Sequence, residues 1–418
     1  MALWTVHGDG RRLGNDEVVH SDERLSWPLT VGIGLQHLAA MAAATMTVPV
    51  LTGFPVSTTL LFSGLGTLLF LLLTRNRVPS YLGSSYSFVA PLAAARADGI
   101  AAQLGAVLFA GILLAVIGVA VKALGIRLVD SVMPPIVTGG VIVLLGVNLA
   151  PLAGREVAAG PLLAAVTLAV IGLCAMLSRG LLFRLGVLAG VLTGWIVAAV
   201  TGGLDAGKSA ALHAAPWWGF PTLHAPLLRS SVMLAVLPAV LVLAAQTVGY
   251  TKAIGAVTGR DVDGHVGDGL IGTGLATALA GAGGGSALTP LGENVGVMAL
   301  NRVYSTAAYL VAAVGAILLS FSPKVAAAVQ TVPSGVIGAM TLVLFGMVVM
   351  TGVRHWMDNE VNLADPVNLM VAGAAIIAGA ADLTVDVGSL RVPGIVWGSL
   401  LIVLGYPLLR TLRAMRHG

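Results

Sequence analysis

From Trp27 to the C-terminus the chain repeats one pattern: an apolar run of helical length, a short polar or Gly/Pro-rich connector, then another apolar run. That pattern constrains the fold more than any single motif. A bilayer-spanning helix needs about 20 mostly apolar residues, and here such runs follow one another with little between them. A soluble domain could not bury them all and still cover itself with polar side chains. Only 10% of the residues are charged and 57% are hydrophobic, whereas soluble domains carry roughly 25% charged residues. The alternating strands of a membrane barrel, about ten residues each, do not occur in the sequence. The chain therefore reads as an all-α polytopic membrane protein.

Fourteen segments are expected, at about 27–48, 57–74, 84–95, 98–122, 133–151, 161–178, 181–201, 231–254, 267–283, 291–301, 304–321, 334–353, 365–381 and 392–411. The third and tenth are too short to span a bilayer alone. Each follows a small-residue, strand-like stretch: "YLGSSYSF" before the third and "GGGSALTPLGEN" before the tenth. With a cytoplasmic N-terminus, 16 of the 22 Lys and Arg residues fall on inside connectors and 6 on outside ones. This bias supports an even number of segments with both termini in the cytoplasm. It also accounts for the net charge of +4 without invoking nucleic acid. The polar first 26 residues lack an apolar core and read as a cytoplasmic tail, not a signal peptide. Trp217 and Trp218 in the long outside loop 202–230 suit an interfacial belt. Cys174 is the only cysteine, which excludes an intramolecular disulfide and a thiolate metal site.

The stretch at 131–149, "SVMPPIVTGGVIVLLGVNL", resembles "QTVPSGVIGAMTLVLFGMV" at 330–348. The two short segments are separated by a similar interval. Each half would then hold seven segments, and an odd number places the halves in opposite orientations. Inverted repeats with broken helices in matching positions point to a transport site near the bilayer midplane.

Non-helical backbone at membrane depth is tolerated only inside protein or beside a watery cavity. Gly281, Gly283, Gly284 and Gly285 precede Pro290, which suits the start of a helix. A half-helix from about Gly292 would aim free N–H groups and a positive dipole end into a cavity. "YLGSSYSF" would do the same from the other half. Such a pocket fits a small, planar, hydrogen-bonding solute. Glu293 would add a strong acceptor when ionised, or a donor and acceptor when protonated.

"GENVGVMALNRVYST" (292–306), "QHLAAM" (36–41) and "PSYLGSSYSFVAP" (79–91) together resemble the nucleobase–ascorbate transporters, the uracil/xanthine permease family. The closest likeness is to bacterial uracil permeases, and it runs from about Pro28 to the C-terminus. The resemblance implies fourteen segments as 7+7 inverted repeats, with short strands before half-helices 3 and 10. It divides the chain into a tail (1–26), a core domain (27–130 and 231–322), a gate domain (131–230 and 323–411) and a C-terminal tail (412–418). It implies a homodimer through the gate domain in the inner, plasma membrane, and symport of a nucleobase with a proton rather than sodium. No cofactor, metal or catalytic residue is implied. By the motif match Glu293 would hydrogen-bond the base, and Gly292 and Tyr86 would add backbone contacts, with the Tyr86 ring against the base. Asn294, Gly296 and Gln36 would support the site.

Three positions depart from the family pattern. Gln246 stands where a substrate-binding Glu is expected, Tyr250 where a proton-linked His is expected, and Asn301 where Thr is usual. Gln246 can still pair with a base edge through its amide, but it cannot titrate. Glu293 is then the leading proton carrier, with His37 as a second candidate. His37 has a plainer reading, a packing residue hydrogen-bonded to Asn294. Gln246 is expected to touch substrate, and Tyr250 either touches substrate or packs at a helix interface. Met298 and Met340 read as packing residues, and Lys252, Arg260 and the acidic run 261–268 as a solvated cytoplasmic loop. "GAGGGS" lacks the Lys-Ser/Thr of a phosphate loop. "DNEVNLADP" at 358–366 lacks the His of a metalloenzyme-like site.

The expected function is import of uracil or a related pyrimidine by proton symport, core moving against gate. A xanthine-type purine permease or an uncoupled facilitator is the alternative that Gln246 and Tyr250 raise. A membrane enzyme, or an anion channel or exchanger on the same architecture, would need a catalytic constellation or a basic site residue, and the sequence offers neither.

Overall fold

The structure, a computed structural model, describes residues 4–11, 13, 17–125, 134–177, 186–381, 383, 385–387, 390–392 and 394–417; for Glu293 it describes the backbone. The expected boundary at 130/131, the first residues of the 131–149 repeat, the connector between the sixth and seventh segments, and Arg12, Arg127, Arg179 and Arg184 of the charge count lie outside the described residues.

In chain order the first half holds β1 (Thr5–Val6), β2 (Glu23–Arg24), α1 (Trp27–Thr52), α2 (Val56–Leu73), β3 (Leu82–Ser84), α3 (Val89–Ala94), α4 (Ile100–Leu124), α5 (Pro135–Asn148), α6 (Ala150–Ala159), α7 (Pro161–Leu177), α8 (Gly186–Val200) and α9 (Ala206–Ala214). The second half holds α10 (Ser230–Ala235), α11 (Leu237–Thr258), α12 (Val266–Gly283), β4 (Leu288–Pro290), α13 (Gly292–Asn301), α14 (Thr306–Ser320), α15 (Pro323–Gln330), α16 (Ser334–Asp358), α17 (Pro366–Ala380), β5 (Val385–Val387), β6 (Leu390–Val392) and α18 (Gly394–His417). Six described helical stretches are long and apolar enough to cross a bilayer: α1, α2, α4, α5 with α6, the Leu237–Gly255 part of α11, and α16. The pair α14 and α15, bent by 85°, makes a seventh. The chain is an all-α, multi-pass membrane protein.

Two groups of helices pack internally. One contains α1, α2, α4, α12 and α14, with α11 against α12 and α4; the other contains α5, α6, α7, α16, α17 and α18, with α8 against α7. Lipid is as apolar as leucine, so helices in a membrane associate by close packing of small residues. The α4–α12 crossing illustrates this. A Cβ added at Gly111 would lie 2.2 Å from the Ala278 nitrogen, one at Gly274 2.4 Å from that of Ala115, and one at Gly281 2.3 Å from that of Leu108. The glycines at 267, 274 and 281 recur every seventh residue, keeping one bare seam along α12.

The N-terminal segment is more than a tail. Its described residues form the parallel β1–β2 pair, and Val19 bridges to Val303 beyond α13. The α11–α12 connection is likewise partly engaged: Arg260 is ion-paired with Asp22, and Asp268 of the acidic run with Lys122.

On the "ADP" turn the Asp365 carboxylate caps α17, accepting from the Val367 and Asn368 N–H groups at 2.9 and 3.3 Å. It also meets Arg413 at 2.8 Å and Arg410 at 3.7 Å. Desolvation pushes its pKa up, but those N–H groups and guanidiniums outweigh it and hold the carboxyl below the usual range. A lowered carboxylate stabilises the fold fully above its ordinary range and loses that contribution as pH falls through its folded value. Asp365→Ala is expected to lower the melting temperature at neutral pH and to flatten its acid dependence. Asp365→Asn, still a good cap, should do less at neutral pH.

Candidate functional site: two half-helices at a buried strand pair

The two broken segments meet. β3 and β4 pair antiparallel, Leu82 with Pro290, Gly83 with Thr289 and Ser84 with Leu288, and all six residues are buried. The pairing satisfies the backbone that no helix covers. Beyond the strands, the Ser85 N–H donates to the Ala287 carbonyl at 2.8 Å and the Leu291 N–H to that of Tyr81 at 3.2 Å. Two threonines supply what the strands leave open. Thr67 on α2 accepts from the Leu82 N–H at 2.9 Å, and Thr277 on α12 accepts from the Leu288 N–H at 3.1 Å. Each strand is thus anchored by a threonine from a neighbouring helix, β3 by one on α2 and β4 by one on α12.

From β3 the chain makes a short 3-10 turn, Tyr86–Phe88, into α3; from β4 it enters α13 at Gly292. Proline at 290 ends the strand, because it has no N–H to give. Glu293 is the second residue of α13, among the N–H groups that an α-helix leaves unpaired at its start.

Helix α11 runs past both tips. Ser87 Oγ donates to Gln246 Oε1 at 3.2 Å, fixing one end of the amide. One turn on, the Tyr250 ring lies over Gly292: a Cβ there would be 3.2 Å from Tyr250 Cε1 and 3.3 Å from its hydroxyl. Gln246, Tyr250 and Gly292 stay half-buried while the strands around them are buried. Tyr86 is buried and turns its ring edge-on to Phe345 of α16, with centroids 5.8 Å apart and planes at 82°. This contact joins the turn that follows β3 to the second helix group.

Behind α13 lies a second layer. His37 Nδ1 is 3.1 Å from Asn294 Oδ1, and its ring sits 4.3 Å from that of Tyr309. The Tyr309 hydroxyl donates to the Asn294 carbonyl at 3.4 Å, and Asn301 Nδ2 donates to Gln36 Oε1 at 2.8 Å. His37 and Asn294 are fully buried. Gly296 lies on the next turn of α13, half-buried. The fold thus gathers the residues singled out in the sequence into two sets: Tyr86, Gln246, Tyr250 and Gly292 at the tips, and Gln36, His37 and Asn294 behind them.

Sequence reasoning missed Ser87, Phe345 and Tyr309. Ser87 had a signal, since it sits within the first broken segment. Phe345 and Tyr309 had none, because an aromatic residue in an apolar helix looks like any packing residue. An empty volume of about 440 Å³ lies elsewhere, lined by Ala42, Thr47 and Val50 of α1 with Val191, Val332 and Met340. It is almost wholly apolar and lacks the donors and acceptors gathered around Gln246. Ser87→Ala leaves Gln246 Oε1 without its donor, a change worth roughly 0.5–1.5 kcal/mol. A substrate KM about two- to tenfold higher, with little change in maximal rate, is the expected result in an uptake assay.

An amide, a phenol and the first N–H groups of a half-helix can bind a polar solute and release it unchanged. Placed at the meeting of two broken helices in a multi-pass membrane protein, they define a transporter. The fold is shared with solved transporters. The likeness to SLC26A9 has a TM-score of 0.65, at 12% identity, over 92% of this chain and 65% of that one. The transmembrane domain of the cyanobacterial bicarbonate transporter BicA gives 0.59 at 15% identity, over 90% and 96%.

The sequence model of the permease family Xan_ur_permease matches residues 29–388, and the chain belongs to that family. It is 39% identical over 403 residues to RutG, a candidate pyrimidine permease of Escherichia coli (strain K12), covering 92% of this chain and 91% of that protein. It is 34% identical to the uracil permease of Bacillus caldolyticus, covering 93% and 94%, and 33% identical to that of Escherichia coli (strain K12), covering 89% of each. The resemblance to the nucleobase–ascorbate transporters, and within them to bacterial uracil permeases, holds. The chain is a permease, not an enzyme.

Proposed function

We propose that the chain imports uracil or a related pyrimidine across the inner, plasma membrane by proton symport. The observation that carries this reading is the pair of half-helix tips flanked by Gln246 and Tyr250, in a chain similar to pyrimidine and uracil permeases along most of its length. The amide of Gln246 offers a donor beside an acceptor, the pattern that a pyrimidine edge requires. Glu293, at the start of α13, would bind the base and cycle the coupling proton. Tyr86 and Gly292 would line the base site, with Asn294, Gly296, Gln36 and His37 holding α13 in place.

The wider architecture belongs to the same proposal: fourteen segments as two inverted sets of seven, both termini cytoplasmic, and a homodimer through the gate. The group around α4 and α12 would be the core and the group around α5 and α16 the gate. The Tyr86–Phe345 contact would be one of those that break and re-form as core moves against gate.

A second reading, a xanthine-type permease or an uncoupled facilitator, draws on Gln246 and Tyr250, since neither is a carboxylate or an imidazole. One experiment separates the two. Purified protein is reconstituted into liposomes, and uptake of radiolabelled uracil and xanthine is followed with and without an inward proton gradient. Uracil uptake driven by the gradient is expected. Uptake indifferent to the gradient, with or without sodium, removes proton coupling, and uptake of xanthine in place of uracil removes the pyrimidine assignment.

A further inference from the structure

Helix α13 has ten residues, too few to hold a helix by its own hydrogen bonds. Its N-terminal end is set by the strand pair, and its C-terminal end is set by the polar N-terminal segment. The helix stops at Arg302, which takes a left-handed backbone at φ 53°. The Arg302 carbonyl accepts from the Val19 N–H at 3.0 Å, and the Tyr304 N–H donates to the Val19 carbonyl at 2.7 Å. Next along, the Thr306 N–H and hydroxyl both donate to the Ser21 carbonyl, at 3.2 and 2.8 Å. Trp4 Nε1 donates to the Thr306 hydroxyl at 2.7 Å, and Ser305 donates to the Glu23 carbonyl. Val19 is fully buried with Leu25 and Val303 in a small apolar cluster of its own.

The segment is also locked internally and from the side. His7 sits between Glu23 at 3.0 Å and Glu17 at 3.7 Å, and Arg260, from the α11–α12 connection, reaches Asp22 at 3.1 Å. These bonds from the segment to the rest of the molecule run to the α13–α14 junction and the α11–α12 connection, both within the helix group that carries the strand pair. We infer that the described residues between Trp4 and Leu25 are a strap that positions α13 from its cytoplasmic end, stays docked throughout the transport cycle and moves with the substrate-binding group. This rests on the reading of α13 as a substrate-binding half-helix.

The test uses a covalent lock and two ways of removing the strap. With Cys174→Ser the chain has no other cysteine, so Val19→Cys with Val303→Cys gives a reversible cross-link across the bridge. The oxidised protein is expected to take up the nucleobase that the wild type takes up, at the same rate before and after reduction. Deletion of residues 2–25, and separately Thr306→Val in the intact chain, are expected to raise KM about tenfold, equivalent to about 1.4 kcal/mol of binding, with maximal rate nearly unchanged. Both should also speed amide hydrogen exchange over residues 297–306 but not in α16. A locked protein that is inactive until reduced overturns the inference, because the strap must then release. So does unchanged exchange over 297–306 in both variants. The exchange measurement needs no substrate. A wild type that takes up no nucleobase would therefore count against the proposed function while the strap is still judged by exchange.

Discussion

Replacing Glu293 by Gln is expected to weaken nucleobase binding by about 10–100-fold, the scale of losing a hydrogen bond to a charged group at roughly 1.5–3 kcal/mol. It is also expected to abolish any dependence of uptake on a proton gradient. A carboxylate beginning a half-helix is stabilised by unpaired N–H groups and the positive end of the dipole. Glutamine keeps the shape and one acceptor but cannot carry a proton. The consequence is severe here because the α11 positions nearest the half-helix tips are already an amide and a phenol, Gln246 and Tyr250. Uptake in liposomes at several external pH values reads both effects. Transport that stays pH-dependent and undiminished in Glu293→Gln removes this residue from the mechanism.

The largest effect on stability is expected from Gly274→Val. A Cβ at that position would lie 2.4 Å from the Ala115 nitrogen and 2.7 Å from the Gly111 carbonyl oxygen. Overpacking a core by a methylene or two typically costs about 1–3 kcal/mol when side chains can shift aside. These neighbours are backbone atoms of α4, so relief requires the two helices to separate along a seam built on Gly111, Gly274 and Gly281. The variant is expected to fail to give monodisperse protein, or to melt far below the wild type. Gly346→Ala is the control. It also lies in a membrane helix, but nothing is within 4 Å of its added Cβ, and its melting temperature should hold or rise. Equal loss in both variants would count against the seam.

Much of this arrangement was legible in the sequence because the bilayer imposes simple rules. Apolar runs between Trp27 and the C-terminus had to be helices, since no other segment satisfies its own backbone in lipid. The same rule made the interruptions at 79–91 and 281–293 conspicuous: glycines and a proline there required backbone partners from elsewhere. The Asn294 amide and the His37 imidazole stand out in the sequence, because polar groups in apolar helices need partners. What stayed hidden was mostly aromatic or distant in sequence. Nothing in "VLFGM" distinguishes Phe345 from its neighbours until Tyr86 is seen against it. The polar N-terminal residues carry no apolar periodicity, so they read as a tail. Their hydrogen bonds to residues 302–306 are made mainly by backbone groups, which every sequence possesses equally.

The sequence by itself determined the class: a multi-pass α-helical permease whose helices break at two places, with Glu293 at the start of one half-helix. That follows from local rules, since helix length, glycine and proline act on their own stretch of chain and on the lipid beside it. Only the tertiary structure decided that the two breaks pair as strands, that Gln246 is held by Ser87 and Tyr250 lies over Gly292, and that the N-terminal segment closes the far end of α13. Those are contacts between residues about 40 to nearly 300 positions apart. Their formation depends on how α4, α11 and α12 pack, and no composition or spacing records that.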